Sequence, residues 1–462
     1  MLHSCDTRLA FVRKLDAKNA YLQAGGIERT LLLRMPRPPP PGVAADTVMR
    51  AKGSIYGTKD AGRAFWVYLK ENLESEGFTA SRLENAMFFF YDSHNRLSAI
   101  IGTHVDDIIS GFNPECDQIQ KAVDALCSRI KMTIDETPFR YCGRDFAQDP
   151  DGTIRITMRP SINAVKQIDV AKQRRATPQA KLSPDEVTDL RSSLGSLGWI
   201  ARQLRADICV DVSLKAQRVG NPVVLDLIET NRIVAKCIAD PDYELVFVPC
   251  APTLAFAAAD SSFGNVDSEY GERTRSQAGH ILGLAEAPLA DGATSRIHIL
   301  EWQSASIKRV VRSTLSAEGY GLTEGAEALD WIRNVIADMT FPSMKLTQLQ
   351  DAARIPALWL SDSKSLVDVV LKDCGQPNDK RLRIVVANLK QMLQEHGTTL
   401  QWIDTLVMLA DPFTKLDCDC ELLRRAMSAG SYCVAATQES LDNKERTKLA
   451  RQRAKDAKLK VP

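Results

Sequence analysis

No stretch of this 462-residue sequence approaches the roughly 20 consecutive apolar residues that a membrane-spanning helix needs. Its first residues also lack the apolar core of a signal peptide. Charge of one sign does not dominate, because 59 Lys and Arg residues nearly balance 58 Asp and Glu residues. The 11 cysteines show no repeated CxxC spacing, which is typical of reduced thiols and not of a disulfide framework. We therefore expect an intracellular protein, cytoplasmic or nuclear, with no membrane partner.

The sequence instead alternates strand and helix patterns and has room for about three domains of ~100–200 residues each. A proline run at 37–42 must form a loop, because proline cannot pair into a helix or sheet ladder. Apolar periodicity predicts helices at 61–78, 314–339 and 380–395, a mostly helical stretch at 189–248, strands at 86–91, 97–101, 108–109, 253–260 and 357–360, and a polar linker at 171–181. This alternation indicates an α/β fold.

A first set of acidic residues lies beside apolar strand patterns. Asp16 follows the segment 11–15, and Asp106 and Asp107 interrupt the apolar segment 101–111, where a hairpin tip is expected. Carboxylates that are crowded and buried repel one another and need a cation among them. Two-metal phosphoryl transfer uses carboxylates in this way. An Asp-Asp pair in a tight turn is also ordinary turn chemistry, so the residues alone leave both interpretations open.

A second acidic set is spread over the C-terminal half. Asp260 ends the predicted strand, Glu318 lies on the predicted helix at 314–339, Asp362 follows the strand at 357–360, and Asp411 begins a helix. Each of them alone is most often a solvated acid. Their order along the chain, on strand, helix, strand and helix start, favours a joint metal site.

Three motifs near the N-terminus resemble those of copia-type reverse transcriptases. Asp16-Ala-Lys-Asn-Ala-Tyr21 resembles the first catalytic motif, and His104-Val-Asp-Asp107 resembles the Tyr-Val-Asp-Asp hairpin. Between them, Gly53-Ser-Ile-Tyr-Gly-Thr-Lys-Asp-Ala-Gly-Arg-Ala-Phe-Trp66 is similar to Ser-Leu-Tyr-Gly-Leu-Lys-Gln-Ala-Pro-Arg-x-Trp. The resemblance implies that Asp16, Asp106 and Asp107 are the catalytic residues of a polymerase and hold two Mg²⁺ ions.

The same resemblance implies a substrate surface formed by Tyr21, Lys59, Asp60, Arg63 and His104. Tyr21 would exclude a 2′-hydroxyl at the sugar edge, although a core tyrosine on a strand explains it equally well. The sequence departs from the family where His104 replaces a tyrosine beside the primer end and where Asp60 replaces a glutamine that touches the incoming nucleotide. A carboxylate at this position is expected to repel a triphosphate and to weaken nucleotide binding.

Further motifs extend the resemblance over residues 11–416. Phe139-Arg-Tyr-Cys-Gly143 is similar to the primer-grip strand, and residues 191–202 with 206–208 are similar to the stretch that joins polymerase to nuclease. Leu360-Ser-Asp-Ser-Lys-Ser365 and Leu409-Ala-Asp-Pro-Phe-Thr-Lys415 resemble the Cys-Asp-Asn-Gln-Ser and Leu-Ala-Asp-x-Phe-Thr-Lys segments of the copia-type ribonuclease H. The resemblance implies that Asp260, Glu318, Asp362 and Asp411 form a catalytic tetrad with two Mg²⁺ ions.

The implied architecture is a multidomain α/β and α+β protein. Its predicted parts are a reverse-transcriptase palm and partial thumb at 1–170, a linker and helical connection at 171–250, a ribonuclease H-like mixed-sheet domain at 251–416, and a C-terminal extension with a basic tail at 417–462. The implied partners are an RNA template, a DNA primer, deoxynucleoside triphosphates (dNTPs) and an RNA–DNA hybrid. Because 15 residues precede Asp16, we expect the fingers subdomain to be largely missing and polymerase activity to be impaired.

The leading hypothesis is an RNA-directed DNA polymerase with ribonuclease H activity, from a copia-type retroelement. Two alternatives stay open at this point. One is a non-catalytic remnant or a host-adopted nucleic-acid-binding protein, in which Lys and Arg contacts to phosphate persist without turnover. The other is a chain whose nuclease is active and whose polymerase is not.

Overall fold

A computed structural model of the chain describes residues 11–27, 29–266, 275–349, 354–372, 377–395, 397–436, 438 and 442. The basic part of the predicted tail, residues 444–460, lies outside these residues. In the part that is described, no helix is both long and apolar enough to cross a membrane. The chain divides into two compact units, Met1–Gly152 with Ala337–Leu349 and Thr153–Ile336 with Gln350–Pro462. The four-part division predicted from the sequence stays a prediction.

The first unit contains a six-stranded antiparallel sheet in the order β4-β5-β6-β7-β1-β8. The same unit contains two further antiparallel strand pairs, β2–β3 and β9–β10. The elements of this unit are β1 (Phe11–Ala17), α1 (Ala20–Gln23), β2 (Leu32–Arg34), β3 (Val48–Arg50), α2 (Ala61–Ser75), β4 (Phe78–Ala80), β5 (Met87–Tyr91), β6 (Leu97–His104), β7 (Asp107–Phe112), α3 (Asp117–Ile130), β8 (Met132–Glu136), β9 (Phe139–Tyr141) and β10 (Arg144–Gln148).

Side-chain alternation explains which face of this sheet is covered. Leu15, Ile101 and Ile108 pack with Leu69 of α2 and Leu126 of α3 in one buried cluster. Because neighbouring residues of a strand point to opposite faces, every second residue of β1 and β7 lies on the face away from these two helices. Asp16 and Asp107 lie on this second face, and Asp106 lies in the adjoining turn.

The predicted elements of this unit are present, with shifted ends. The helix predicted at 61–78 is α2, and it ends already at Ser75. Gly77 has a φ of 90°, a left-handed conformation that favours glycine, and the chain then turns into β4. The strand predicted at 97–101 is β6, which continues to His104.

The second unit contains a six-stranded mixed sheet in the order β17-β16-β13-β14-β15-β18. The pairs β13–β16 and β16–β17 are parallel, and the other pairs are antiparallel. The elements are β11 (Ile154–Thr157), α4 (Arg159–Ala164), α5 (Lys172–Arg175), α6 (Pro184–Gln203), α7 (Cys209–Arg218), α8 (Val224–Ala239), β12 (Leu245–Phe247), β13 (Leu254–Val266), β14 (Arg275–Ala285), β15 (Ser295–Ser306), α9 (Thr314–Thr340, counted to the first unit from Ala337), β16 (Ala357–Ser361), α10 (Lys364–Leu371), α11 (Lys380–Glu395), β17 (Thr398–Trp402), α12 (Glu421–Ala429) and β18 (Ser431–Tyr432).

Three helices pack on one face of the mixed sheet. Ala257 of β13 and Trp359 of β16 lie in one buried cluster with Leu322 of α9, Leu366 of α10 and Leu389 of α11. The part of β13 that pairs in parallel with β16, Ala255–Ala258, and β16 from Ala357 to Leu360 are apolar and buried, as is typical of strands in the middle of a covered sheet. The sheet is therefore a rigid support for residues at the ends of these strands.

The segment predicted as a linker at 171–181 is packed against neighbouring helices in the structure. It contains α5, and the Arg174 guanidinium on this helix donates hydrogen bonds of 2.8 Å and 2.7 Å to the Glu186 carboxylate at the start of α6. Ser183 and Glu186 form a capping box at the same helix start, which satisfies its free backbone N–H groups. The segment is thus a folded part of the second unit.

A buried arginine that the sequence analysis did not single out fastens the helical region. Arg205 is 1% exposed and donates hydrogen bonds of 2.8 Å and 2.9 Å to the Asp207 carboxylate. It also donates to the backbone carbonyls of Cys237 and Asp240, both at 2.9 Å. A buried charge needs such partners, so Arg205 links the turn after α6 to the end of α8.

Candidate metal centres

The first acidic set lies at the end of the β1–β7 pair. Asp16 in β1 is the direct partner of Asp107 in β7, and directly opposed residues of an antiparallel pair share one face. Asp106 lies in the two-residue turn between β6 and β7, and its carbonyl accepts a hydrogen bond from Ala17 N at 3.3 Å. The structure therefore brings Asp16 to the predicted hairpin.

The turn that carries Asp106 is strained. Val105, its first residue, has a φ of 60° and is 43% exposed. A left-handed conformation costs a non-glycine residue about 1–2 kcal/mol, and a β-branched side chain is rare there. His104, an exposed residue, precedes the turn and is paired with Asp107 across it. Strain of this kind clusters at functional sites, where neighbouring structure maintains it.

A lysine lies between the aspartates of this set. Lys14 Nζ is 2.8 Å from Asp107 Oδ1 and 4.0 Å from Asp16 Oδ1. Burial lowers the pKa of Lys14, but its hydrogen bond to Asp107 and the charges of both aspartates outweigh this, so its pKa is raised. The two carboxylates of this partly exposed site therefore share a fixed positive charge.

Tyr21 lies next to the predicted substrate motif at residues 53–66. Its ring centroid is 4.6 Å from that of Tyr56 and 6.3 Å from that of Phe65. The side chain is half-buried and packs against the core of the first unit. This packing agrees with a structural role for Tyr21, but the expected strand position is wrong because Tyr21 lies in helix α1. Its role at the sugar edge stays a prediction.

Asp60 has a partner that the sequence analysis missed. The Arg29 guanidinium donates two hydrogen bonds to the Asp60 carboxylate, with N···O distances of 2.8 Å and 2.9 Å. The hydrogen bond with Arg29 holds the pKa of Asp60 low, at about 2. Lys59 and Arg63 are exposed on either side. Arg29 therefore balances the charge of Asp60, so the expectation that an unpaired Asp60 carboxylate repels a triphosphate needs correction.

The second acidic set comes together from four separate segments. Asp260 lies in β13, Glu318 in the second turn of α9, Asp362 directly after β16, and Asp411 at the first residue of a short 3-10 helix, Asp411–Phe413. One oxygen each of Asp260, Asp362 and Asp411 lies within 4.8 Å of the other two. Among the described residues, the aspartates of the first unit do not form a group this tight. The prediction that Asp260 ends its strand is wrong, because β13 continues to Val266.

Glu318 is not one of the three residues whose oxygens come within 4.8 Å of one another, but it lies close enough to interact electrostatically with Asp260 and Asp362. Burial together with the charges of Asp260 and Asp362 raises the pKa of Glu318 to about 9. Burial and the charge of Asp260 raise the pKa of Asp411 to about 6, and burial raises the pKa of Asp260. Crowded carboxylates of this kind favour a bound cation. The donors are all carboxylate oxygens, which suit Mg²⁺, so the residues present fit such an ion.

Two glycines make this convergence sterically possible. A Cβ atom on Gly279 of β14 would lie 2.3 Å from Phe413 Cβ, so the segment after Asp411 can rest on the sheet only because this side chain is missing. A Cβ atom on Gly321 of α9 would lie 2.2 Å from Ser261 Oγ, next to Asp260. The approach at Gly279 therefore requires glycine, and a larger residue at Gly321 would force the Ser261 hydroxyl to move.

Polar neighbours orient the aspartates of the second set. Thr405 Oγ1 donates a 2.7 Å hydrogen bond to Asp362 Oδ2, and Trp402 Nε1 donates to the Asp362 carbonyl at 3.0 Å. Thr414 donates to the Asp260 carboxylate. Hydrogen bonds of this kind hold ligand carboxylates in fixed positions and so support a preformed site.

The part of the first unit that carries the paired aspartates matches a known protein family. Residues 5–179 match a protein-family model described as "Reverse transcriptase (RNA-dependent DNA polymerase)". The predicted α/β and α+β fold class is confirmed by the antiparallel and mixed sheets and their helices, whereas the ribonuclease H-like character of the mixed sheet stays a prediction. The chain is also similar to the solved structure of the foamy viral protease-reverse transcriptase dRH in complex with double-stranded DNA, with 11% identity and a TM-score of 0.47 over 88% of this chain and 59% of that chain.

The relatives of the chain are Pol polyproteins of retrotransposons. It is 24% identical over 343 residues to the retrovirus-related Pol polyprotein from transposon RE2 of Arabidopsis thaliana, covering 71% of this chain and 22% of that protein. It is 23% identical over 420 residues to the polyprotein from transposon RE1 of the same plant, covering 87% of this chain and 26% of that protein. The chain is thus related to copia-type retrotransposon Pol polyproteins and spans about a quarter of their length.

Proposed function

We propose that this chain combines an RNA-directed DNA polymerase with a ribonuclease H, and that the nuclease is the more effective of the two activities. The convergence of Asp260, Asp362 and Asp411 within 4.8 Å, with Glu318 beside them, carries the proposal. Acids from distant parts of the chain that are brought together, three of them buried, repel one another unless a cation joins them. Their order on strand, helix, strand and helix start agrees with the tetrad that the sequence motifs imply.

The chemistry follows from the positions of the acids. Two bound Mg²⁺ ions would supply an activated water and stabilise the leaving 3′-oxygen of the cut RNA strand. Thr414 donates to Asp260 and Thr405 donates to Asp362, so these two carboxylates are already oriented, while Lys415 donates to Asp411. Selection of a hybrid would rest on the shape of the duplex and on its 2′-hydroxyls.

The first unit would extend a DNA primer on an RNA template with dNTPs. Asp16, Asp106 and Asp107 would hold two Mg²⁺ ions on the open face of the sheet, and Tyr21, Lys59, Arg63 and His104 would contact the substrates. Arg29 is bound to the Asp60 carboxylate, so its guanidinium is not free to bind a triphosphate. We therefore expect weak nucleotide binding and low polymerase activity.

Cleavage of an RNA–DNA hybrid by the full chain tests the nuclease. We expect Mg²⁺-dependent cutting of the RNA strand and a rise in melting temperature with Mg²⁺, because a ligand of the folded state stabilises it. Asp362→Asn should remove activity by at least about a hundredfold, while the metal-free protein keeps or slightly raises its melting temperature because repulsion is relieved.

The matched control is Asp291→Asn, which changes an exposed aspartate of the same unit. This variant should cut and melt like the unmodified chain, as most surface substitutions do. If the folded chain neither cuts hybrid nor gains stability from Mg²⁺, the nuclease proposal is wrong. A non-catalytic remnant that binds nucleic acid would then take its place.

A further inference from the structure

A lysine of the second unit already occupies the space between two of the acids. Lys415 Nζ is 2.7 Å from Asp411 Oδ1 and 3.4 Å from Asp260 Oδ2. Asp260 and Asp411 are buried, at 2% and 9% exposure. An ammonium at these distances compensates carboxylates in a medium of low polarity much better than water-exposed charges compensate each other. The metal-free pair is therefore neutralised in part by the protein itself.

The position of Lys415 follows from the end of the motif 409–415. Lys415 lies four residues after Asp411, so the short 3-10 helix between them returns its side chain to the carboxylate. The residue before it, Thr414, donates to Asp260 and is itself fully buried. Two consecutive residues thus bind the acidic pair, one through a neutral hydroxyl and the other through a charge.

Lys415 differs from its neighbours because it has a route to solvent. Its side chain is 40% exposed, whereas those of Asp260 and Asp411 are 3% and 12% exposed. A lysine has a flexible four-carbon stem and a strongly hydrated ammonium, so it can leave an ion pair for water at moderate cost. The carboxylates, by contrast, cannot follow it out of the site.

We propose that Lys415 is an intramolecular competitor of Mg²⁺, which occupies the space between Asp260 and Asp411 in the metal-free protein and leaves it when a divalent cation binds there. The inference rests on the proposed function in one respect, namely that the acidic site takes up Mg²⁺. It adds that Lys415 keeps the empty site stable and raises the Mg²⁺ concentration needed to fill it.

Calorimetric titration of the EDTA-treated full chain with Mg²⁺ alone tests this competition. Lys415→Met removes the charge and keeps the length of the side chain. We expect its Mg²⁺ dissociation constant to fall about tenfold below that of the unmodified chain, because no ammonium must be displaced at short range. Its metal-free melting temperature should also fall, since the acidic pair has lost its partner.

Two further variants separate charge from packing. Lys415→Arg keeps a positive charge, so its Mg²⁺ dissociation constant should stay at or above that of the unmodified chain. Thr414→Val removes a hydrogen bond to Asp260 without changing the charge, so it should not tighten Mg²⁺ binding. The inference would be overturned if Lys415→Met bound Mg²⁺ more weakly than the unmodified chain, or if Thr414→Val bound Mg²⁺ as much more tightly as Lys415→Met does. Either result would still agree with Mg²⁺ binding at the acidic site. Absence of any Mg²⁺ binding by the unmodified chain would overturn the proposed nuclease as well.

Chemical labelling of the unmodified chain gives a test that needs no variant. An amine-reactive ester acetylates a free lysine faster than one held in an ion pair, and mass spectrometry reads the extent at each position. We expect Mg²⁺ to speed labelling of Lys415 relative to EDTA, while Lys372, whose side chain is 63% exposed, labels equally in both. Unchanged or slower labelling of Lys415 with Mg²⁺ would contradict its displacement.

Discussion

Single residues in both units show charges that are balanced within the protein. In the first unit, Asp60 stands where the family motif has glutamine, and it pairs with Arg29 through two hydrogen bonds. The substitution therefore has two effects. It adds the negative charge of Asp60, and it binds the Arg29 guanidinium. The pair is exposed, so by itself it contributes little to stability. Its main consequence is that Arg29, while bound to Asp60, is not available to bind a nucleoside triphosphate.

Asp60→Gln should strengthen nucleotide binding. The glutamine cannot form an ion pair, so Arg29 becomes available to a triphosphate, and one charge-assisted contact of about 1.4 kcal/mol corresponds to roughly tenfold in affinity. We would measure equilibrium binding of dTTP to the chain with primer, RNA template and Mg²⁺, followed by primer extension. Asp46→Asn, at an exposed loop position of the same unit, is the control.

Two results would contradict this account of the polymerase. One is unchanged dTTP affinity in Asp60→Gln when the variant melts like the unmodified chain. The other is efficient primer extension by the unmodified chain that Asp106→Asn abolishes, because the polymerase would then not be impaired at all.

At the scale of elements, close packing of short segments against the sheet decides whether the acidic residues meet. The 3-10 helix that carries Asp411 contacts β14 at Gly279, and α9 approaches β13 at Gly321. Both contacts lie beside Asp260, so the two glycines fix how near Asp411 and Glu318 come to it. These distances depend on backbone packing and not on the acids themselves.

Gly279→Ala should therefore destabilise the second unit and weaken Mg²⁺ binding. The new methyl group overlaps Phe413, and overpacking of this kind costs about 1–3 kcal/mol. Urea unfolding and Mg²⁺ titration would measure both effects. Gly195→Ala is a matched control, because its methyl group would meet open space in the middle of α6 and should raise the free energy of unfolding by about 0.5–1 kcal/mol. Equal behaviour of the two variants would refute the close-packing argument.

The sequence predicted elements better than it predicted partners. The strand at 357–360, the helix at 380–395 and the approach of Asp16 to the hairpin at Asp106 agree with the structure, because apolar periodicity and motif order record them locally. The end of β13 was misplaced since polar residues follow Asp260. The ion pairs of Arg29, Arg205 and Lys415 were not predicted, because such contacts arise only when the chain folds and leave no periodic pattern.

At the scale of the whole molecule, each unit contains a group of acids with a lysine among them. Lys14 contacts Asp107 in the first unit, and Lys415 contacts Asp411 in the second. One lysine cannot balance several carboxylates, so stability should depend on how many of these acids are ionised. The effect is larger in the second unit, where Asp260, Glu318 and Asp411 are buried.

The stabilisation by Mg²⁺ should increase as the pH rises from about 6 to about 9, the raised pKa values of Asp411 and Glu318. A carboxyl group whose pKa is higher in the folded than in the unfolded state favours folding at low pH, and this contribution is lost as the pH rises through the folded pKa. In EDTA the melting temperature should therefore fall over this range, and Mg²⁺ should offset the fall by pairing with the ionised acids.

Scanning calorimetry in EDTA and in Mg²⁺ at several pH values measures this difference. Glu318→Gln, which cannot ionise, should reduce the pH dependence in EDTA, and Asp291→Asn should leave it unchanged. A gap between the Mg²⁺ and EDTA melting temperatures that is constant with pH would contradict the assignment of these acids to one cation site.

The position of Lys415 after Asp411 also has a consequence for the order of events during protein synthesis. A ribosome delivers Asp260 and Asp362 long before Asp411, so a growing chain can pair β13 with β16 while the acidic group is still incomplete. Lys415 then emerges only four residues after Asp411. The last anion of the group and the cation that accompanies it leave the exit tunnel almost together, so the newborn protein never carries the complete acidic group without its lysine.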